Sequence, residues 1–245
     1  MLTAVALPGL PEVRPGDDLA ALLAVAAGRL VGGLAERDVL ALAHKVVSKA
    51  EGRVVRLADV SAGARAEALA AEHGKDPRHV QVVLDESVEV LRADRGRLIC
   101  RTRHGFVCAN AGVDASNAGR PGTLVLLPED PDASARALRR RLGCAVVVTD
   151  SFGRPWRHGQ CEVALGCAGL APVLDWRGRP DAGGRELLAA VTAVADQAAG
   201  AADLVRGKDT REPAVRIRGL EAYVRAEDGP GGTALVRAPE DDLFR

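Results

Sequence analysis

The stretch Ala145-Val146-Val147-Val148-Thr149 constrains the fold more than any other part of this chain. An uncharged, mostly β-branched run of this length reads as a strand buried inside a sheet, and it stops on Asp150-Ser151-Phe152-Gly153-Arg154. Asp38 to Ala43 reads as a second buried strand and Ala214 to Ile217 as a late one. Such strands need helices to cover them. The sequence offers an Ala/Leu-rich helix capped by Asp17 and running to about Leu30, one from Ser61 to about His73, and one from Pro77 with Val80, Val83, Leu84 and Val88 at helical spacing. A basic helix opened by Asp130-Pro131 runs to Leu142, and a long alanine-rich helix runs from Glu186 to Arg206 with Gly207 at its boundary.

Leu2 to Leu7 reads as a short first strand. Leu98-Ile99-Cys100 and Phe106-Val107-Cys108 read as a strand pair about a turn at His104-Gly105, and Gly112 to Asn117 as a polar turn. Strands and helices interleave irregularly and several strands look antiparallel. That fits an α+β (mixed α/β) fold, with mixed or antiparallel sheets flanked by helices, better than a doubly wound sheet. The 245 residues suffice for a full core, built as one unit over 1–245 or as two intertwined subdomains. Aromatic residues are only 2% of the chain, so that core is expected to consist of Ala, Val and Leu.

Lys plus Arg and Asp plus Glu are 33 each, which gives no basic excess to recommend a nucleic-acid partner. The five cysteines have no C-x-x-C spacing, so free thiols are expected rather than zinc or disulfides. With no secretory signal and no long apolar run, neither a membrane partner nor export is expected, and the cytoplasm is the expected location.

The chemistry concentrates at strand ends. Gly112-Val113-Asp114-Ala115-Ser116-Asn117 and Thr149-Asp150-Ser151-Phe152-Gly153 each set a carboxylate beside hydroxyls or an amide, the hard oxygen set that Mg2+ or Mn2+ prefers. Good turn-forming residues alone would also explain both. Only four lysines occur, and Lys45 and Lys49 flank Ser48 on what reads as a loop after a strand. Their ammonium groups suit phosphate, although the P-loop spacing is absent. Gly153-Arg154-Pro155-Trp156-Arg157-His158-Gly159-Gln160 combines cations with a ring, as an anion-binding surface or a covered core edge would. Arg206-Gly207-Lys208 complements a helix dipole and also suits a triphosphate. Lys49 and Arg154 are the candidate catalytic residues.

In order along the chain, Gly9-Leu10-Pro11-Glu12-Val13, the KVVSKAEGR stretch Lys45 to Arg53, the AGVDASN stretch Ala111 to Asn117, and the TDSFGR stretch from Thr149 resemble the coenzyme F420-0:L-glutamate ligases (F420 gamma-glutamyl ligases). The likeness runs almost end to end. It is strongest to the ligase half of two-domain actinobacterial proteins, which carry similar WR-x-GQ, GK and DLF segments (here Trp156 to Gln160, Gly207-Lys208 and Asp242-Leu243-Phe244). In those a flavin-binding, nitroreductase-like domain follows. Here the chain stops at Arg245, so that activity is expected in a separate nitroreductase partner.

The resemblance implies that GTP phosphorylates the terminal carboxylate of F420-0 or its dehydro precursor. The amine of L-glutamate then attacks the acyl phosphate. By position, Leu10, Pro11, Glu12, Val13, His44, Lys45, Lys49, Asn117, Arg206, Gly207 and Lys208 match nucleotide-contacting residues. Asp114 and Asp150 match metal-binding carboxylates, with Ser151 at a second metal. Two departures stand out. His44 replaces a small hydroxyl residue, and Lys208 stands where archaeal relatives place a metal-binding carboxylate, leaving the second ion held differently or replaced by this ammonium. The family also implies a homodimer and a response to K+. A relative that activates another carboxylate, or a non-catalytic nucleotide-binding partner, would share part of this pattern.

Overall fold

The computed structural model describes residues 1–242; the Leu243-Phe244 part of the DLF resemblance lies outside the described residues. In chain order the elements are β1 (Thr3–Ala6), α1 (Leu19–Ala27), β2 (Val39–Ala43), α2 (His44–Ala50), β3 (Val54–Arg56), α3 (Ala64–His73) and α4 (Pro77–Asp85). They continue with β4 (Ser87–Asp94), β5 (Arg97–Thr102), β6 (Val107–Ala109), β7 (Thr123–Val125), α5 (Pro131–Leu142), β8 (Ala145–Arg154) and β9 (Arg157–Ala168). The last are β10 (Val173–Asp175), β11 (Val191–Ala193), α6 (Val194–Asp203) and β12 (Ala214–Arg218). The α+β expectation holds.

A five-stranded sheet in the order β1-β12-β2-β8-β9 forms the centre, with β2 and β8 parallel and the other pairs antiparallel. The apolar runs of β2 and β8 are continuous because both faces of this sheet are covered. Leu40, Leu42, Val146 and Val148 point into a core shared with α1, α2 and α5. Val39, Ala41, Ala145 and Val147 point the other way, onto α6. Alternation thus divides one apolar run between two cores. A smaller core forms where α3 and α4 pack on β5 and β7, around Ala66, Val80, Val83, Leu98 and Leu124.

The start of α5 lies directly on β9. A Cβ added at Gly166 would stand 2.3 Å from the carbonyl carbon of Pro131, so only glycine allows this approach. The Asp132 carboxylate accepts from the backbone N–H of Cys167 at 2.8 Å and of Gly232 at 2.6 Å, joining helix, strand and C-terminal segment.

Several expected elements differ. His44 to Arg53 does not form a loop throughout, because His44 to Ala50 is helix α2, its Val46 and Val47 buried against the main core. The Asp150 turn is a continuation of strand, since β8 runs on to Arg154 and pairs with β9 as a long hairpin. The helix placed from Glu186 to Arg206 is confined to α6, and β11 before it pairs with β10. Val88 belongs to β4 rather than to α4, and the cap of α1 is Asp18, which accepts from Ala21 N at 3.0 Å. Cys100, Cys108, Cys144, Cys161 and Cys167 are free, as expected.

Asp38, buried at the start of β2, accepts from Arg218 Nε and Nη2 at 2.7 Å each, tying β2 to β12. Burial pushes its carboxyl up, but the bonds from Arg218 and from Ala35 N outweigh that and hold it below the ordinary 3.8. The stabilisation is therefore present above 3.8 and is lost as pH falls through the lower folded value. Asp38→Asn is expected to cost about 2 kcal/mol at pH 7. Urea titrations should show that gap closing under acid conditions, and a gap independent of pH would contradict the assignment.

Candidate functional site

Because β2 and β8 are parallel with Ala43 opposite Thr149, both strands deliver their C-terminal residues to the same edge of the sheet. β12 enters at that edge, with Ala214 opposite Leu42. The carboxyl ends of parallel strands are where ligands bind in open sheets, and a cavity of about 1100 Å3 opens there. Leu10, Pro11, Glu12 and Val13 form one wall, His44, Lys45 and Lys49 of α2 another, and Asp114 and Asn117 a third. Asp150 and Ser151 of β8 and Arg206-Gly207-Lys208 after α6 complete it.

Every residue nominated as catalytic, nucleotide-contacting or metal-binding lines this cavity except Arg154, and Trp156, Arg157 and His158 of the same stretch stay outside it too. Its guanidinium lies on its own hairpin, donating to the carbonyls of His158 at 2.7 Å and Gly159 at 3.4 Å. At the tip of the same hairpin Trp156 is 81% exposed.

The cations are already aimed. Lys45 Nζ lies 2.6 Å from Asp114 Oδ2 and donates to Ser116 Oγ at 2.8 Å. Lys49, only 7% exposed, donates to Glu12 Oε1 at 2.5 Å, which bridges α2 to the segment after β1. Asp114 is fixed through its backbone, which exchanges hydrogen bonds with Val125 at 3.0 and 2.8 Å. Burial pushes the Asp114 carboxyl up, but Lys45 and the Ser116 N–H outweigh it, so the group lies below the usual carboxylate value.

Asp150 is the opposite case. Burial pushes its carboxyl up, and its neighbour His44 only partly opposes that. His44 is itself held below the usual imidazole value by burial, so the ring is neutral at neutral pH. Its Nδ1 pairs with Ser48 Oγ at 3.2 Å, while its buried Nε2 has no hydrogen-bond partner and stands 3.5 Å from Asp150 Oδ1. A half-buried carboxylate with this little compensation fits a cation. Among the described residues no group of three His, Cys, Asp or Glu side chains forms a metal cage. That donor set suits Mg2+ or Mn2+, which use one or two carboxylates and fill the remaining positions with water and substrate phosphates.

Glu162 was not nominated from sequence. It lines the cavity from β9, 4% exposed, and accepts from Arg206 Nη2 at 2.5 Å and Ser151 Oγ at 2.7 Å. Burial pushes its carboxyl up, but Arg206, Thr149, Ser151 and Lys208 together hold it below the ordinary value. Lys208 Nζ also reaches Ser151 Oγ at 2.7 Å and Asp203 Oδ1 at 3.1 Å.

Among the described residues no helix is long and apolar enough to cross a membrane. The family described as F420-0:Gamma-glutamyl ligase matches residues 9–219. The coenzyme F420:L-glutamate ligase of Methanopyrus kandleri is 47% identical, over 96% of this chain and 94% of its own. Relatives of the same name from Methanothermobacter thermautotrophicus and Natronomonas pharaonis are 41% and 45% identical, each over 100% of this chain and over 99% and 95% of their own.

Proposed function

We propose that this chain, which belongs to the F420-0:gamma-glutamyl ligase family, joins L-glutamate to coenzyme F420-0 or its dehydro precursor at the expense of GTP. The observation that carries the reading is the meeting of Asp114, Asp150, Lys45 and Lys49 around one cavity. Two carboxylates from separate elements and two ammonium groups from one helix are what a nucleoside triphosphate with its divalent ion requires, and the cavity has room for an acceptor beside it.

In the first step a terminal carboxylate oxygen of F420-0 attacks the γ-phosphorus of GTP, and GDP leaves. In the second the glutamate amine attacks the acyl carbon, and phosphate leaves. Mg2+ or Mn2+ held by Asp114, Asp150 and Ser151 would neutralise charge on the transferring phosphoryl group. Lys45 and Lys49 sit on one short helix, so they hold the phosphates at a fixed spacing while the α2 backbone keeps both stems in place. Their present partners, Asp114 and Glu12, keep the ammonium groups oriented before the nucleotide arrives. Leu10 to Val13 and Asn117 border the rest of the nucleotide, with Arg206, Gly207 and Lys208 opposite. Lys208 takes the place of a second divalent ion beside Ser151, with K+ as a further cation. Arg154 acts as a catalytic cation only after leaving its hairpin carbonyls. The enzyme works in the cytoplasm as a homodimer.

Purified protein incubated with GTP, Mn2+, L-glutamate and F420-0 is expected to yield F420-0 heavier by one or more glutamyl units in the mass spectrum. GTP turnover on some other carboxylate, with F420-0 unchanged, would overturn the assignment.

A further inference from the structure

The two oxygens of the buried Glu162 carboxylate face different partners. Oε2 accepts from Arg206 Nη2, and Arg206 is fixed in turn by donating to Thr149 Oγ1 at 2.6 Å and to the Pro213 carbonyl at 3.1 Å. Oε1 accepts the hydroxyl proton of Ser151 at 2.7 Å. A serine hydroxyl has one proton and two lone pairs. With its proton directed at Glu162, Ser151 must turn both lone pairs away from that carboxylate. Lys208 Nζ donates to the oxygen at 2.7 Å, and the second lone pair remains on the cavity side, next in sequence to Asp150.

We propose that Glu162 is a positioning residue for cation binding, which fixes the Ser151 hydroxyl as an acceptor facing the cavity while Arg206 anchors Glu162 from behind. The inference rests on the metal-assisted reading given above and adds a residue that acts on the ion through Ser151. Pairing on both sides makes the arrangement stiff, because Glu162 cannot rotate toward Arg206 without releasing Ser151. An outer carboxylate that orients a ligating oxygen changes metal affinity by about 10–100-fold when it is removed.

The test is Mn2+ binding to the full chain, without nucleotide, followed by the electron paramagnetic resonance signal of the free ion. In Glu162→Gln the amide oxygen still accepts from Arg206, while the amide N–H2 meets Ser151 Oγ and takes up a lone pair there. Mn2+ binding is expected to weaken by about 10–100-fold. Ser151→Ala should weaken it by a similar factor, and the double variant should be no weaker than Ser151→Ala alone, because Glu162 acts through that hydroxyl. A purely structural Glu162 would lower the melting temperature but leave the two losses independent.

Mn2+ affinity of Glu162→Gln within about two-fold of the unaltered chain, or losses that multiply in the double variant, would overturn the inference. If Glu162→Gln gives no cooperative melt, Ser151→Ala decides by itself, and unchanged Mn2+ affinity there overturns it too. Unaltered protein that binds no Mn2+ overturns the metal-assisted reading, and this inference with it.

Discussion

Asp150→Ala is expected to lower kcat/KM for glutamate ligation at least about a thousand-fold, equivalent to about 4 kcal/mol of transition-state stabilisation. Asp150 stands at the carboxyl end of the parallel pair and lines the cavity, half-buried, and burial raises its carboxyl more than His44, the Ser151 N–H and Lys45 lower it. Folding therefore disfavours its ionised form. A carboxyl raised on folding opposes the folded state at pH values above its unfolded value. Removing it should leave the melting temperature of the metal-free protein unchanged or higher, while activity collapses. The same variant thus separates a ligand-binding carboxylate from a structural one, whose loss would lower stability together with rate. Activity and thermal melts of Asp150→Ala and Asp150→Asn, with and without Mn2+, check both halves.

The largest expected loss of stability is at Arg206. Replacing it with methionine leaves Glu162 buried, still accepting from Ser151 but without its guanidinium partner. Breaking one side of a buried pair costs about 3–5 kcal/mol, and the remaining bonds from Ser151 and Lys208 place this case near the lower end. Burial raises the Glu162 carboxyl and its partners more than reverse that, so the pair contributes fully above the ordinary 4.5 and is lost as pH falls through the lower folded value. Urea unfolding should show the gap between Arg206→Met and the unaltered chain open at pH 7 and closing in acid. Equal stability at pH 7 would mean that the pair does not hold the turn after α6 against β9.

The parts of the site that were legible in sequence share one property: each lies in a short local pattern at the end of an apolar run. Asp114, Asp150, Lys45 and Lys49 all belong to such patterns, and all reach the cavity. Glu162 lies inside β9, whose first four residues, Arg157-His158-Gly159-Gln160, are polar and contain a glycine with positive φ. Nothing local separates those four from a loop. What makes it a strand is pairing with β8, whose register is a tertiary property. The same reason hid the continuation of β8 past Thr149.

Helix α2 was missed because its seven residues include two valines, a histidine and no side-chain cap at Ala43, so intrinsic propensity is weak and burial of Val46 and Val47 decides. Between Glu186 and Val194 the Ala/Val/Leu spacing was equally compatible with helix. Pairing of Val191 to Ala193 with β10 settles it as strand. The fold class was readable because the buried runs at Val39 to Ala43 and Ala145 to Thr149 are too apolar for anything but the centre of a covered sheet.

A route through an acyl phosphate formed at the cavity shared by Asp114, Asp150, Lys45 and Lys49 has an isotopic signature. In that route the oxygen bridging carbon and phosphorus comes from the acceptor carboxylate and leaves with the phosphate. F420-0 labelled with 18O in its terminal carboxylate, incubated with GTP, L-glutamate, Mn2+ and the enzyme, is predicted to release inorganic phosphate carrying one 18O atom for each amide bond formed. Amide formation with unlabelled phosphate would exclude that route.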